Sequence, residues 1–255
     1  MAKVLEICVD SLASARAAVA GGADRLELCS ALLAGGLTPY EALLRQIRAE
    51  SDINIRCLMR PRAGDFLYTP EELDMLRLQI LQLKEAGADG FVIGCLTPEG
   101  DLDKAAMKPL VEACSGKGIT LHRAIDVSRN LEKTYLDAAE LGIDTVLTSG
   151  GASSCRKGME AIEKLIALRE KHNGPEVLIG AGVNANVIRE FRAAIPGARA
   201  FHMSGKMELE SAMRFRREGV PMGLPGLDEW HIQQTDEAAV KAARAAMDDS
   251  QMPQK

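Results

Sequence analysis

Two strand-like runs, each followed by a helical stretch, set the pattern that decides the fold: VLEICV (4–9) and RLELC (25–29). Side chains alternate between the two faces of a strand, so Glu6 and Cys8 share one face while aliphatic side chains cover the other. In the second run Glu27 and Cys29 share a face in the same way. A strand that presents a carboxylate and a thiol opposite its aliphatic face does not line a plain core. If the two strands are neighbours, these four groups converge on one place, where we expect the functional site.

Short apolar runs continue to alternate with helical stretches along the rest of the chain. The predicted strands are Val4–Val9, Arg25–Cys29, Asn54–Arg60, Gly90–Leu96, Ile119–Ala124, Thr145–Ser149, Val177–Ala181 and Ala200–Ser204. The predicted helices are Leu12–Ala20, Pro39–Ala49, Pro70–Ala86, Lys104–Ser115, Asn130–Leu141, Ser154–Lys171, Asn186–Ala194 and Asp236–Met247. Such alternation is typical of βα units and a parallel sheet. Eight units in 255 residues predict an α/β fold of the (β/α)8 TIM-barrel type, in a single domain over residues 1–247.

The alternative fold is a doubly wound open sheet. It needs a glycine-rich turn after the first strand, and the corresponding stretch here, VDSLAS (9–14), contains no glycine. Thr38 and Thr69 stand before Pro39 and Pro70, and are predicted to cap the second and third helices. The segment after Ser204 is predicted to be a long irregular loop, including the stretch 219–232, and residues 248–255 a flexible tail.

Composition excludes several classes of function. A net charge of −5 and an aromatic content of 4% disfavour binding to nucleic acid or to an anionic membrane. The chain has no signal-like opening and no apolar run long enough to span a bilayer. Its six cysteines are scattered without a Cys-x-x-Cys pair, which disfavours a zinc finger and a disulfide framework. We therefore expect a cytoplasmic protein.

The two-residue strand period predicts which polar side chains face the barrel interior. The result is a ring of ionisable groups near the strand ends, with a further aspartate just beyond the fifth strand. The candidate catalytic residues are Glu6, Glu27, Arg60, His122, Asp126 and His202. So many ionisable groups cannot be buried unless they pair with one another. Clustering at the strand ends favours a functional role, whereas a salt-bridged layer that only fixes strand register is the structural alternative.

Cys8 and Cys29 are the candidate metal ligands. They are predicted to lie at the same height on adjacent strands, which are about 4.8 Å apart, so both sulfurs could reach one ion. Two thiolates select Cu(I) or another soft metal. The alternative is that each cysteine is a small buried hydrophobic residue.

Two glycine-containing loops and one longer loop are candidates for binding a small anion. LTSGG (147–151) and GAGVN (180–184) follow the sixth and seventh strands, and their backbone N–H groups could hold a phosphate or carboxylate. The candidate residues are Ser149, Gly150, Gly151, Gly180 and Gly182. The alternative is that these glycines only permit tight turns. In the loop 60–72, Arg60 and Arg62 either clamp an anion or pair with nearby carboxylates.

Eight motifs in this order resemble the CutC family: LEICVDS, GGADRLELCS, GGLTP, RPRAGDFLY, LHRAID, VLTSGG, FHMSG and MRFR. The resemblance covers residues 4 to 222. It implies a cytoplasmic (β/α)8-type barrel linked to copper homeostasis, often a homo-oligomer, whose proposed Cu(I) ligands correspond to Cys8 and Cys29. Ile125 and Tyr40 differ from the residues common in the family at those positions, and neither is a proposed ligand.

Three hypotheses follow. In the first, the protein handles copper through Cys8 and Cys29. In the second, it is an enzyme acting on a small anionic or phosphorylated metabolite, with Glu6, Glu27 and His122 in acid–base roles and Arg60 holding the anion. In the third, the polar ring is purely structural.

Overall fold

The computed structural model describes residues 3–220, 222–223 and 228–249. Within these residues eight parallel strands pair in chain order and close into a barrel, because the first strand also pairs with the eighth. The barrel strands are β1 Val4–Val9, β2 Arg25–Leu28, β3 Asn54–Leu58, β4 Gly90–Ile93, β5 Gly118–Leu121, β6 Thr145–Thr148, β7 Glu176–Ile179 and β8 Ala200–Met203. This topology confirms the predicted (β/α)8 TIM barrel.

Helices follow the strands and cover the outside of the barrel. They are α1 Leu12–Ala20, α2 Glu41–Arg48, α3 Pro70–Glu85, α4 Lys104–Ala113, α5 Leu131–Glu140, α6 Met159–His172, α7 Ala185–Ala194 and α8 Glu237–Asp248, with short 3-10 helices at Leu32–Ala34 and Arg123–Val127. None of the helices in the described residues is long and apolar enough to cross a membrane.

The main core lies between the strands and the helices. Leu5, Ile7 and Val9 of β1 are fully buried in it, as are Leu26 and Leu28 of β2. Full burial of each such aliphatic side chain contributes roughly 1.5–3 kcal/mol. The aliphatic residues of each strand are therefore committed to the outer face, and this fixes Glu6, Cys8 and Glu27 on the inner face.

One of the two predicted threonine caps is confirmed. Thr69 and Glu72 form a capping box at the start of α3, with Pro70 as the first helical residue. The predicted cap at Thr38 is wrong, because α2 begins only at Glu41. Thr38 Oγ1 instead donates to the carbonyl oxygen of Arg60 and accepts from its N–H, and so ties the loop after β2 to the end of β3.

The prediction that the segment after Ser204 is irregular is wrong in part. Strands β9 Lys206–Glu210 and β10 His231–Thr235 form an antiparallel pair between β8 and α8. The sequence of β9, KMELE, alternates polar and apolar residues, but this short pattern was not recognised as a strand, and β10, HIQQT, shows no such alternation. Within the predicted loop and tail, residues 221, 224–227 and 250–255 lie outside the described residues.

Candidate metal centre and ligand cavity

Glu6 lies at the centre of the polar interior. The register places Arg25 of β2 opposite Glu6 on one side and His202 of β8 opposite it on the other. Arg25 Nε donates to Glu6 Oε2, and His202 Nδ1 lies 2.8 Å from Glu6 Oε1. Glu6 is fully buried, so it depends on these two partners for compensation.

The balance of burial and charge keeps Glu6 ionised. Burial alone would raise its pKa, but the positive charges of Arg25 and Arg56 and the contact with His202 lower the pKa to about 2. Sequence analysis considered Arg60 as a partner for the inward-facing carboxylates or for an anionic ligand, and it missed Arg25. Its position two residues before Glu27, on the same strand face, was the available signal.

Cys8, Glu27 and His202 form the next layer towards the barrel mouth. The register places Cys8 beside Glu27, and Cys8 Sγ, a Glu27 carboxylate oxygen and a His202 ring nitrogen lie within 4.8 Å of one another. All three residues also line a cavity at the mouth. A thiol, an imidazole and a carboxylate so close together could hold a metal ion.

The protonation states in this layer depend on one another. Burial would lower the pKa of His202, but the neighbouring Cys8 and Glu27 and the hydrogen bonds to Cys8 and Glu6 raise it well above the usual value. Burial raises the pKa of Glu27 to about 7; the charge of Glu6 also raises it, and that of His202 opposes the rise. Glu27 is therefore a carboxyl group able to hold or release a proton near neutral pH.

The prediction that Cys8 and Cys29 lie at the same height on adjacent strands is wrong. Since Cys8 pairs with Glu27, Cys29 lies two residues further along its strand. Stagger between neighbouring strands is part of barrel closure and cannot be read from either strand alone. Cys29 is fully buried against Leu58 and Val92, and its Sγ lies 3.4 Å from the Val9 carbonyl oxygen. Burial, and after it the neighbouring Cys8 and Glu27, raise the pKa of Cys29 well above the usual value.

Arg60 and His122 lie on another wall of the same cavity. The His122 ring stacks at a tilt on Phe66, with 4.8 Å between ring centroids, and the Arg60 guanidinium lies 5.2 Å from the Phe66 centroid. Burial, followed by the charge of Arg60, lowers the pKa of His122 to about 3, so this imidazole is neutral. A Cβ on Gly94 of the neighbouring chain segment would stand only 2.6 Å from His122 Cε1, so the ring requires a glycine there.

Asp126 occupies the loop that was predicted to bind an anion. Its carboxylate accepts hydrogen bonds from Thr148 Oγ1, from the backbone N–H groups of Ser149 and Gly151, and from Arg123 Nε. Gly150 has a positive φ of 72° and donates its N–H to Thr148 Oγ1.

Gly180 and Gly182, in the loop after β7, have different surroundings. Gly180 packs against Leu147, where a Cβ would approach Leu147 Cδ1 to 2.7 Å, and Gly182 lines the cavity. Anion binding by Ser149, Gly150, Gly151, Gly180 and Gly182 stays a prediction.

The cavity has a volume of about 550 Å³, enough for a small organic molecule. Its walls come from the barrel strands and the loops after them, and Lys206 of β9 and Gln233 of β10 also line it. Sequence reasoning missed this contribution of the hairpin because it predicted neither β9 nor β10 as a strand. The fold and the site together define a TIM barrel with a ligand cavity and a group of possible metal ligands at its mouth.

Comparison with known proteins assigns the chain to a family. The model of the CutC family matches residues 3–207, so the chain belongs to that family. A CutC family protein of Chromobacterium violaceum is 40% identical over 249 residues, covering 97% of this chain and 99% of that protein.

Solved structures agree with this assignment. The crystal structure of a candidate copper homeostasis protein, CutC, from Streptococcus agalactiae superposes with a TM-score of 0.74 at 26% identity, covering 79% of this chain and 98% of that one. A phosphoribosyl anthranilate isomerase from Thermococcus kodakaraensis, at 14% identity and a TM-score of 0.55, covers 97% of this chain and all of its own, and shares the fold alone.

Proposed function

We propose that the protein binds Cu(I) at the barrel mouth through Cys8 and Cys29 and serves copper homeostasis in the cytoplasm. The single observation that carries the proposal is the convergence of Cys8 with Glu27 and His202, whose ligand atoms lie within 4.8 Å of one another. The Streptococcus agalactiae relative, described as a candidate copper homeostasis protein, supports the choice of metal.

The chemistry of the donors favours a soft ion. Thiolates select Cu(I), and imidazole also suits copper, whereas a carboxylate is a harder ligand. Cys8 supplies a sulfur that faces the cavity, and His202 supplies a nitrogen beside it. Cys29 would supply the second sulfur. Its raised pKa, to which the neighbouring Cys8 contributes, means that Cu(I) must displace a proton from a buried thiol.

Glu27 would assist copper binding by accepting a proton, without being a copper ligand. Its pKa of about 7 allows it to accept a proton that leaves a thiol as the metal binds. Glu6 would keep His202 oriented through the contact at Nδ1, so that the metal could bind Nε2 in place of the proton that the raised pKa of His202 keeps there. Assembly as a homo-oligomer, implied by the family resemblance, is part of the proposal.

An anaerobic competition titration against a chromophoric Cu(I) chelator tests the proposal. We expect the wild type to take up one equivalent of Cu(I) and the Cys8→Ala/Cys29→Ala double variant to lose this uptake. A Cys114→Ala/Cys155→Ala double variant is the matched control, because both of those cysteines are buried and neither lines the cavity. Equal uptake by the wild type and the Cys8→Ala/Cys29→Ala variant would remove the proposal.

Single variants separate the two sulfurs. If both bind the ion, Cys8→Ala and Cys29→Ala should each weaken Cu(I) binding. If Cys29→Ala binds as the wild type does, the site consists of Cys8 with His202, and the two-cysteine geometry is wrong.

A second candidate function is an enzyme acting on a small anionic metabolite. The observation that favours it is Glu27, a carboxyl group with a pKa near 7 that lines a cavity large enough for an organic substrate. Incubation of metal-free protein with a pool of anionic metabolites, followed by NMR, tests for turnover. Consumption of a metabolite by the wild type and not by Glu27→Gln supports this function, and an unchanged pool counts against it.

A further inference from the structure

We propose that the cavity binds a small unphosphorylated carboxylate, whose carboxyl group accepts hydrogen bonds from His122 Nε2 and Arg60 Nε. The proposal concerns binding alone, and it requires neither copper at Cys8 nor turnover of the ligand. It rests on two buried donors that lack partners, on the charge of Arg60, and on the way Asp126 fills the neighbouring anion-binding loop.

The tautomer of His122 makes its Nε2 a donor. His122 Nδ1 accepts a hydrogen bond from the Ala124 N–H at 3.2 Å, so in the neutral ring the proton is on Nε2. The Nδ1–Cε1 edge of the ring lies against Gly94, and the side chain lines the cavity. His122 Nε2 is buried and has no hydrogen-bond partner among the described residues. A buried N–H group without an acceptor costs free energy, which a ligand oxygen that accepts its hydrogen bond would recover.

Arg60 provides a second donor and a positive charge. Its Nη1 donates to the carbonyl oxygens of Ala34 and Gly36, and its Nη2 donates to that of Gly64. These three contacts hold the guanidinium in place without neutralising it, and the salt bridges within the described residues include none to Arg60. Its Nε is buried and lacks a partner in the same part of the chain. A positioned cation with an unpartnered N–H group is suited to bind an anion.

Phe66 connects the two donors. It contacts the His122 ring and the Arg60 guanidinium, and all three residues line the cavity. The His122 and Arg60 side chains therefore belong to one wall of the cavity. A carboxylate, with two acceptor oxygens, satisfies both donors together with one charge.

Asp126 argues against a phosphorylated ligand. In barrels of this type the loops after the late strands commonly bind phosphate with backbone N–H groups. Here the N–H groups of Ser149 and Gly151 donate to the Asp126 carboxylate, which is also paired with Arg123. An internal carboxylate thus takes the hydrogen bonds that a phosphate would need, and its charge opposes a second anion at that place.

A thermal-shift panel on metal-free protein tests the proposal. The probes are acetate, pyruvate, lactate, malonate and succinate, compared with inorganic phosphate and glycerol phosphate at matched ionic strength. We expect at least one carboxylate to raise the melting temperature, and neither phosphate to do so. Stabilisation by phosphate as strong as that by the best carboxylate, or no stabilisation by any carboxylate, overturns the proposal.

The matched variant is His122→Asn. Asparagine keeps an acceptor for the Ala124 N–H, as it does at helix N-caps, but has no donor at the Nε2 position. We expect the best carboxylate to bind about tenfold more weakly, as loss of one hydrogen bond to a charged group predicts. His172→Asn, on the exposed end of α6, is the control and should bind as the wild type does. Equal binding by His122→Asn also overturns the proposal.

A spectroscopic measurement on the wild type covers the case in which His122→Asn does not fold. Long-range ¹H–¹⁵N NMR of the histidine rings reports the protonated nitrogen of His122 directly. We expect the signal of a protonated Nε2, which shifts when the best carboxylate is added. A proton on Nδ1, or an Nε2 signal that the carboxylate leaves unmoved, contradicts the proposed contact. Because carboxylate binding does not require copper, a negative result in these experiments leaves the copper proposal standing. In the same way, a negative copper titration leaves the carboxylate proposal standing.

Discussion

Glu6 is a buried carboxylate whose charge is compensated by side chains from both neighbouring strands. Arg25 and His202 hold its two oxygens, and Glu6 in turn fixes the ring of a candidate metal ligand. Such an ion pair is weak evidence for stability in itself, because desolvation offsets much of the attraction. Removing one partner is different, because it leaves an uncompensated charge inside the barrel.

Glu6→Gln tests this dependence at the level of one residue. The variant keeps the shape of the side chain but leaves Arg25 buried without its counter-ion. We expect a loss of roughly 3–5 kcal/mol in the free energy of unfolding, measured by urea denaturation. Glu50→Gln is the control, because Glu50 pairs with Arg16 on the surface, where ion pairs contribute little. If the urea midpoint of Glu6→Gln lies as close to that of the wild type as the midpoint of Glu50→Gln does, the role given to Glu6 is contradicted.

The same residue predicts an acid-dependent loss of stability. The folded-state pKa of Glu6, about 2, lies below the ordinary value of 4.5, so the folded protein favours the ionised form. This contribution is fully present above pH 4.5 and is lost as the pH falls from 4.5 towards 2. The stability gap between the wild type and Glu6→Gln should therefore narrow across this window. A gap that stays constant from pH 5 to pH 3 would show that the Glu6 pKa is not lowered.

At the scale of single elements, α3 depends on a local signal. Thr69 accepts from the Glu72 N–H while the Glu72 side chain accepts from the Thr69 N–H. Thr69→Ala should lower the free energy of unfolding by about 1 kcal/mol, because one N-terminal N–H group loses its acceptor. Thr69→Ser retains the hydroxyl and should be close to the wild type in the same urea titration. Equal losses in the two variants would mean that the cap contributes nothing.

Elements with strong local patterns were predictable from the sequence. The barrel strands begin within one residue of the predicted positions, because their aliphatic outer faces are committed to one core. Hairpin strand β10 was missed, because it is held by pairing with β9 and by a contact of the Thr235 N–H with Ser14, and neither leaves a periodic pattern. Thr38 was assigned to a helix cap because its tertiary contact with Arg60 is invisible from the sequence.

The candidate site was also predictable only in part. Which residues face inward follows from the strand period, and Glu6, Cys8, Glu27 and His202 do so as predicted. Which of them meet depends on stagger between strands, which propensity and periodicity do not determine. For this reason Glu6 pairs with Arg25 and not with Arg60, and Cys8 lies beside Glu27 and not beside Cys29.

At the scale of the whole molecule, closure of the barrel brings two different walls around one cavity. The wall formed by β1, β2 and β8 carries the thiol, carboxyl and imidazole groups, and the other wall carries Arg60 and His122. The first wall suits a soft metal ion and the second an organic anion. The hairpin formed by β9 and β10 adds Lys206 and Gln233 to the mouth, so the cavity depends on the chain beyond the last barrel strand.

The most direct test of the central claim is anomalous diffraction at the copper edge from crystals grown anaerobically with Cu(I). The account predicts one dominant anomalous peak inside the barrel mouth, within bonding distance of Cys8 Sγ, with Cys29 Sγ and a His202 ring nitrogen as its other neighbours. Dominant peaks only at surface residues, or a barrel mouth without a copper peak in protein that has taken up the metal, would contradict it.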